Sequence, residues 1–144
     1  MKLSDEPIII EYSFEVSINT VWKAITELNQ MKQWFFDNIE SFIPEVGFKT
    51  QFEIVNEDRK FTHLWELTEV LPNHKITYNW KYKEYPGDSF LTFELNQVKK
   101  KVNLKITVDV VENFPSNIPE FSRENCIEGW NYFIGKNLKE YLEN

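Results

Sequence analysis

The chain offers few side chains suited to catalysis, and their types and spacing narrow the chemistry open to it. His63 and His74 are its only imidazoles and Cys126 its only thiol. No pair of them stands at the short spacings that zinc sites use, so no metal and no other cofactor is expected. There is no Gly-x-Ser-x-Gly elbow and no Cys/His pairing for nucleophilic catalysis. The four glycines are scattered, so no phosphate-cradling loop forms. His74 falls in Leu71-Pro72-Asn73-His74, a turn, and is expected to be solvated. His63 shares a strand face with Trp65, as a hydrogen-bonded core histidine or as the polar handle of a cavity. With Tyr12 or Tyr78 it could serve as an acid–base pair. Strand carboxylates fall mostly on the opposite face, which argues against a paired-carboxylate hydrolase.

Charge removes further classes. The 144 residues carry a formal net charge of −7 and only two arginines, Arg59 and Arg123. Binding a phosphate backbone needs clustered basic residues. The short run Lys99-Lys100-Lys101 sits at an expected hairpin turn, so no nucleic-acid partner is expected. A single cysteine excludes an internal disulfide and suits a reducing cytosol. No basic start leads into an apolar run, and no window approaches the roughly 20 apolar residues of a membrane span. A cytoplasmic protein without a membrane span is expected, either monomer or homodimer. The length fits a single domain, residues 1–144. What the chain has in quantity is aromatic surface, 16% of residues from 12 Phe, 5 Trp and 6 Tyr.

The elements that must position these residues follow from the changing period of apolar positions. Ile10, Tyr12, Phe14 and Val16 alternate with polar residues as in a half-buried strand. Ser17 can cap a helix carrying Ile18, Val21, Trp22, Ile25 and Leu28. A second short helix, Gln30 to Phe36, carries Met31, Trp34 and Phe35. From Ile39 the period becomes two, with strands expected at Ile39–Ile43, around Phe48–Ile54, Phe61–Val70, Ile76–Tyr82, Ser89–Asn96 and Val102–Val110. Val70 is out of phase with Leu67, which a β-bulge near Thr68-Glu69 would repair. A long helix from about Pro119 to Asn144 presents Ile127, Trp130, Ile134, Leu138 and Tyr141 on one face. Gly129 and Gly135 inside it each cost about 1 kcal/mol against alanine, so close approach to the sheet or room for a ligand is expected there.

Five stretches resemble one known family. They are Val16-Ser17-Ile18-Asn19-Thr20-Val21-Trp22-Lys23-Ala24-Ile25-Thr26, Trp34-Phe35, Trp65-Glu66-Leu67-Thr68-Glu69-Val70-Leu71-Pro72, Ile76-Thr77-Tyr78-Asn79-Trp80, and Gly129-Trp130 through Leu138-Lys139. Together they resemble the Aha1 (activator of Hsp90 ATPase) C-terminal-domain-like proteins of the START/Bet v 1-like superfamily. Ile18 stands where a proline is usual, and Val46-Gly47 where a Gly-Gly pair is common. The co-chaperones that name the family carry a separate N-terminal domain, for which this length leaves no room.

The resemblance implies an α+β helix-grip fold. A curved antiparallel sheet of about seven strands wraps a long C-terminal helix, with two short helices after the first strand. It also implies a cavity between sheet and helix, where superfamily members hold lipids, steroids or polyketides. The strand phases then offer Phe52, His63, Trp65, Tyr78 and Trp80 as lining residues, joined by Trp130 and Phe133 of the helix. Two readings of that set stand together: an apolar cleft for a small hydrophobic molecule, or a solid core. Three functions follow as expectations. The first is non-enzymatic binding of a lipid or aromatic ligand. The second is a protein-interaction module for an Hsp90-type chaperone. The third is a cyclase/aromatase-like enzyme using His63 with Tyr12 or Tyr78.

Overall fold

Alternation of apolar and polar residues sets up β1 (Ile8–Phe14), whose Ile8, Ile10 and Phe14 are buried in the computed structural model, which describes residues 1–143. Ser17, three residues beyond the strand, caps α1 (Ile18–Thr26), its hydroxyl accepting the Thr20 N–H at 3.1 Å. α2 (Leu28–Trp34) follows after one residue. The Trp34 indole donates to the Ala24 carbonyl at 2.8 Å, which fixes the two helices against each other.

Five strands then run as a meander: β2 (Lys49–Asn56), β3 (Arg59–Leu71), β4 (Lys75–Tyr82), β5 (Asp88–Val98) and β6 (Lys101–Glu112). The first, second and last of their turns contain the left-handed residues Glu57, Asn73 and Lys99. β1 adds beside β6, so the antiparallel sheet has six strands in the order β1-β6-β5-β4-β3-β2. In β3 the pairing passes from Leu67 opposite Tyr78 to Glu69 opposite Thr77. Thr68 is thus the extra residue of the expected bulge, and it returns Val70 to the ladder opposite Ile76.

The C-terminal helix lies against the apolar face of this curved sheet, which is the expected helix-grip arrangement. It opens as a 3₁₀ turn at Pro119–Phe121 and restarts at Ser122, whose hydroxyl accepts the Asn125 N–H at 3.1 Å. α3 (Arg123–Trp130) then widens into a π-helical stretch, Asn131–Leu138, before α4 (Lys139–Glu143). Trp130, Ile134 and Leu138 are buried as their spacing implied, with Ile127 and Tyr141 half-buried at the ends of the stripe. The expected helix end at Asn144 lies outside the described residues.

Two expectations are corrected. The strand expected at Ile39–Ile43 does not form, and the sheet has six strands rather than about seven. Ile39 and Phe42 are buried, while Glu40, Ser41 and Ile43 are exposed. The segment therefore hangs its apolar groups three residues apart and pairs with no strand. The C-terminal helix, expected to run unbroken from Pro119, is interrupted at Ser122, where the backbone is extended.

Candidate functional site

β2, β3 and β4 bring five of the candidate residues onto one face. Phe52 stands opposite His63 and Trp65 opposite Trp80 in the ladders, with Tyr78 one further inward-facing position along β4. The C-terminal helix lays Trp130 and Phe133 over them. The seven form one chain of ring contacts. Phe52 stacks on His63 at 4.6 Å and meets Trp65 at 4.9 Å. Trp65 meets Tyr78 at 5.0 Å and Trp80 at 5.1 Å. Trp80 reaches Trp130 at 6.0 Å, and Trp130 reaches Phe133 at 6.1 Å. Such centroid distances are those of favourable edge-to-face and offset pairs.

Two rings that the strand phases could not place occupy the middle of this set. Phe35, the first residue after α2, contacts Trp34, Trp65, Trp80, Trp130 and Phe133. Phe36 contacts Phe52, His63 and Phe133. A signal for them existed in Trp34-Phe35-Phe36. Three consecutive aromatic residues cannot share one helical face, so at least one ring must point away from the face that Trp34 buries. With both in place the sheet–helix space is largely filled. A residual cavity of about 60 Å³ remains beside Trp80, Leu91, Cys126 and Trp130. Small-molecule pockets usually measure about 300–1,000 Å³. A larger groove, about 330 Å³, lies among Lys49, Gln51, Leu64, Glu66, Asn79 and Lys81, residues that alternate with the inward set.

Polar groups within the cluster differ sharply in how they are satisfied. The Trp80 indole N–H donates to His63 Nδ1 at 3.1 Å. That contact leaves the ring neutral, and burial holds the His63 pKa down to about 3, partly offset by Glu84. Tyr78 is fully buried and its hydroxyl has no protein partner; neither has the indole N–H of Trp65. Burial pushes the Tyr78 phenol well above its ordinary range, so it stays a donor at neutral pH. The Tyr12 hydroxyl is engaged elsewhere, donating to Asn131 Oδ1 at 2.7 Å. Tyr78 lies four residues along the ladder from the level of His63, about 13 Å at strand rise. Burial also pushes the Cys126 thiol up to about 11, away from thiolate chemistry. Among the described residues, no group of three or more His, Cys, Asp or Glu side chains is placed to hold a metal ion. No helix among them is long and apolar enough to cross a membrane.

A six-stranded antiparallel sheet gripping a C-terminal helix, with an aromatic cluster between them, defines a START-like helix-grip protein. The family model described as "Activator of Hsp90 ATPase homolog 1-like protein" matches residues 15–143, and the chain belongs to that family. Among solved structures it is similar to protein CV1439 from Chromobacterium violaceum, with 21% identity and a TM-score of 0.78 over 96% of this chain and 97% of that one. The Aha1 dimer from Colwellia psychrerythraea is 19% identical, with a TM-score of 0.71 over 96% of this chain and 97% of its own. DynU16, a putative protein in the dynemicin biosynthetic locus, is 19% identical with a TM-score of 0.76, over 97% of this chain but 48% of that one. At these identities the likeness is one of fold. A comparison with curated proteins gave no match.

Proposed function

We propose that the chain binds a small hydrophobic molecule between the sheet and the C-terminal helix, with Phe35 and Phe36 giving way to admit it. One observation carries the reading. Two hydrogen-bond donors, Tyr78 Oη and Trp65 Nε1, are buried without partners on rings whose centroids lie 5.0 Å apart. Leaving such a group unpaired costs about 1–3 kcal/mol, and a core designed only for packing would carry Phe at both positions. The segment that must move is joined to β3 by backbone bonds at its far end, where Gly47 N–H donates to the Leu67 carbonyl and the Phe48 carbonyl accepts from Leu67 N–H. Residues 35–48 contribute no strand, and their side-chain anchors to β2 are Asn38 on the Glu53 carbonyl and Ser41 against Thr50. Phe52, His63, Trp65, Tyr78, Trp80, Trp130 and Phe133 would then line the opened site, with His63 serving as the fixed acceptor that orients Trp80.

Native mass spectrometry of gently purified protein tests this, together with thermal shifts against a panel of lipids and aromatic compounds. An adduct mass or a ligand-dependent rise in Tm is expected. Apo mass alone, with no shift from any member of the panel, overturns the proposal.

A second reading is contact with an Hsp90-type chaperone, supported by the description of the family. It would use the outer surface rather than the aromatic cluster. Stimulation of the ATPase of the host's own Hsp90 homologue is its direct assay, and absence of both stimulation and co-purification would remove it.

A further inference from the structure

We infer that residues 113–122, between β6 and α3, form a strap over the residual cavity, and that Glu120, clasped by Arg59 and Asn56, holds the strap shut. The inference builds on the reading that the sheet–helix space admits a small molecule. It adds the place where that space opens.

The cavity of about 60 Å³ lies between two aromatic clusters. Trp80, Leu91 and Trp130 bound it from the main one, Tyr82 and Phe114 from a second built on Phe61, Phe114 and Phe121. Walls supplied by β4, β5 and β6 can part only by breaking ladder hydrogen bonds. The strap has no place in a ladder: the N–H groups of Phe114, Phe121 and Ser122 bond to Met1, Ile118 and Pro119. At its last residue, Ser122, the backbone is extended, so the strap can turn there and leave α3 in place. Segments held outside the ladders are the ones that open locally at low cost. Two buried rings oppose that opening. Phe121 packs 4.9 Å from Tyr82 and 5.4 Å from Phe61, and Phe114 lies against Gly87, where a Cβ would overlap its ring.

The clasp is polar and comes from the β2–β3 hairpin. Arg59 Nε donates to one carboxylate oxygen of Glu120 at 2.9 Å and Nη2 to the other at 2.8 Å. Asn56 Nδ2 adds a bond at 2.6 Å. One carboxylate thus ties the strap to the edge of the sheet. Arg59 is one of only two arginines in the chain, and a planar guanidinium is what makes a two-pronged bond of this kind. The two side chains are 25% and 23% exposed, so water and salt weaken the pair less than an open surface pair.

Cys126, the one thiol in the chain, lines the same cavity and reports on the strap. Burial pushes its pKa up to about 11, so at pH 8 it reacts slowly until an open strap readmits water. The reagent is 5,5′-dithiobis(2-nitrobenzoate), whose two rings do not fit a cavity of this size. Labelling rates are measured on the full chain across low urea concentrations, with global unfolding followed separately. In wild type the rate is expected to be slow and to rise far less steeply with urea than unfolding does. Glu120→Ala is expected to raise it about tenfold, the worth of one hydrogen bond to a charged group. Lys60→Ala, which breaks the 3.1 Å Lys60–Glu53 pair on the same hairpin, is expected to leave it unchanged. A rate unmoved by Glu120→Ala overturns the clasp, as does an equal rise in Lys60→Ala. Labelling that follows global unfolding alone, or that matches a free thiol in wild type, overturns the strap. The assay needs no ligand. A strap that opens in a protein without adducts would remove the binding proposal alone, and ligand binding under a strap that stays shut would remove this inference alone.

Discussion

His63 sits among aromatic rings with its Nδ1 accepting from Trp80, and its pKa of about 3 lies well below the 6.5 of an unfolded histidine. The folded protein therefore stays neutral at this site while the unfolded chain takes up a proton. Stability from this group is complete above pH 6.5 and drains away as pH falls toward 3, by about 1.4 kcal/mol per unit. Between pH 7 and pH 5 it should amount to about 2 kcal/mol, a window still above most carboxylate titrations. Urea unfolding at the two pH values should show that loss in wild type and most of it gone in His63→Gln, whose amide oxygen can still accept from Trp80. An equal loss in the variant would contradict the assignment. His63 was recognisable in the sequence as inward-facing, because it keeps phase with Trp65. Its partner was not, since the bond crosses the β3–β4 register between residues that are not directly opposite.

Among the elements, the C-terminal helix gives two glycines opposite meanings. A Cβ on Gly135 would stand 2.5 Å from the Tyr12 hydroxyl, whereas one on Gly129 meets nothing within 4 Å. Gly135 is thus the seat of Tyr12, and the Tyr12–Asn131 bond closes β1 against the π-helical stretch. Gly129→Ala should stabilise the protein by about 0.5–1 kcal/mol through helix propensity. Gly135→Ala should destabilise it by about 1 kcal/mol, overpacking and a strained hydrogen bond outweighing that gain. In a Tyr12→Ala background Gly135→Ala should turn stabilising. Thermal unfolding of wild type, the two glycine variants, Tyr12→Ala and the Tyr12→Ala/Gly135→Ala double variant checks this; a stabilising Gly135→Ala in the wild-type background would refute the steric role. The stripe of Trp130, Ile134 and Leu138 was legible because its four-residue steps survive the local widening of the helix. Ile39–Ile43 has the apolar ends of a short strand, but Ile39 and Phe42 lie three apart and reach the core from an unpaired segment.

For the molecule as a whole, the strands, their order of appearance and the bulge at Thr68 could be read from alternation and polar turns, since one buried face imposes a strict period of two. How full the grip would be could not. That depends on where the rings of Trp34-Phe35-Phe36, arriving from a separate segment, settle among those of β2 to β4 and the helix. The filled centre reconciles a large aromatic load with a cavity of about 60 Å³, and on the proposed reading the unpaired donors of Tyr78 and Trp65 lie where a ligand would be admitted. The most direct measurement of this claim is the indole N–H spectrum of ¹⁵N-labelled protein, in which five tryptophans give five resolvable signals. Trp65→Phe assigns the signal of interest. On titration with a compound from the panel that raises Tm, the Trp65 indole signal should move as its surroundings change, while that of Trp80, already bonded to His63, keeps its hydrogen-bonded shift. A Trp65 signal that stays in place to saturation would contradict the claim that this core opens.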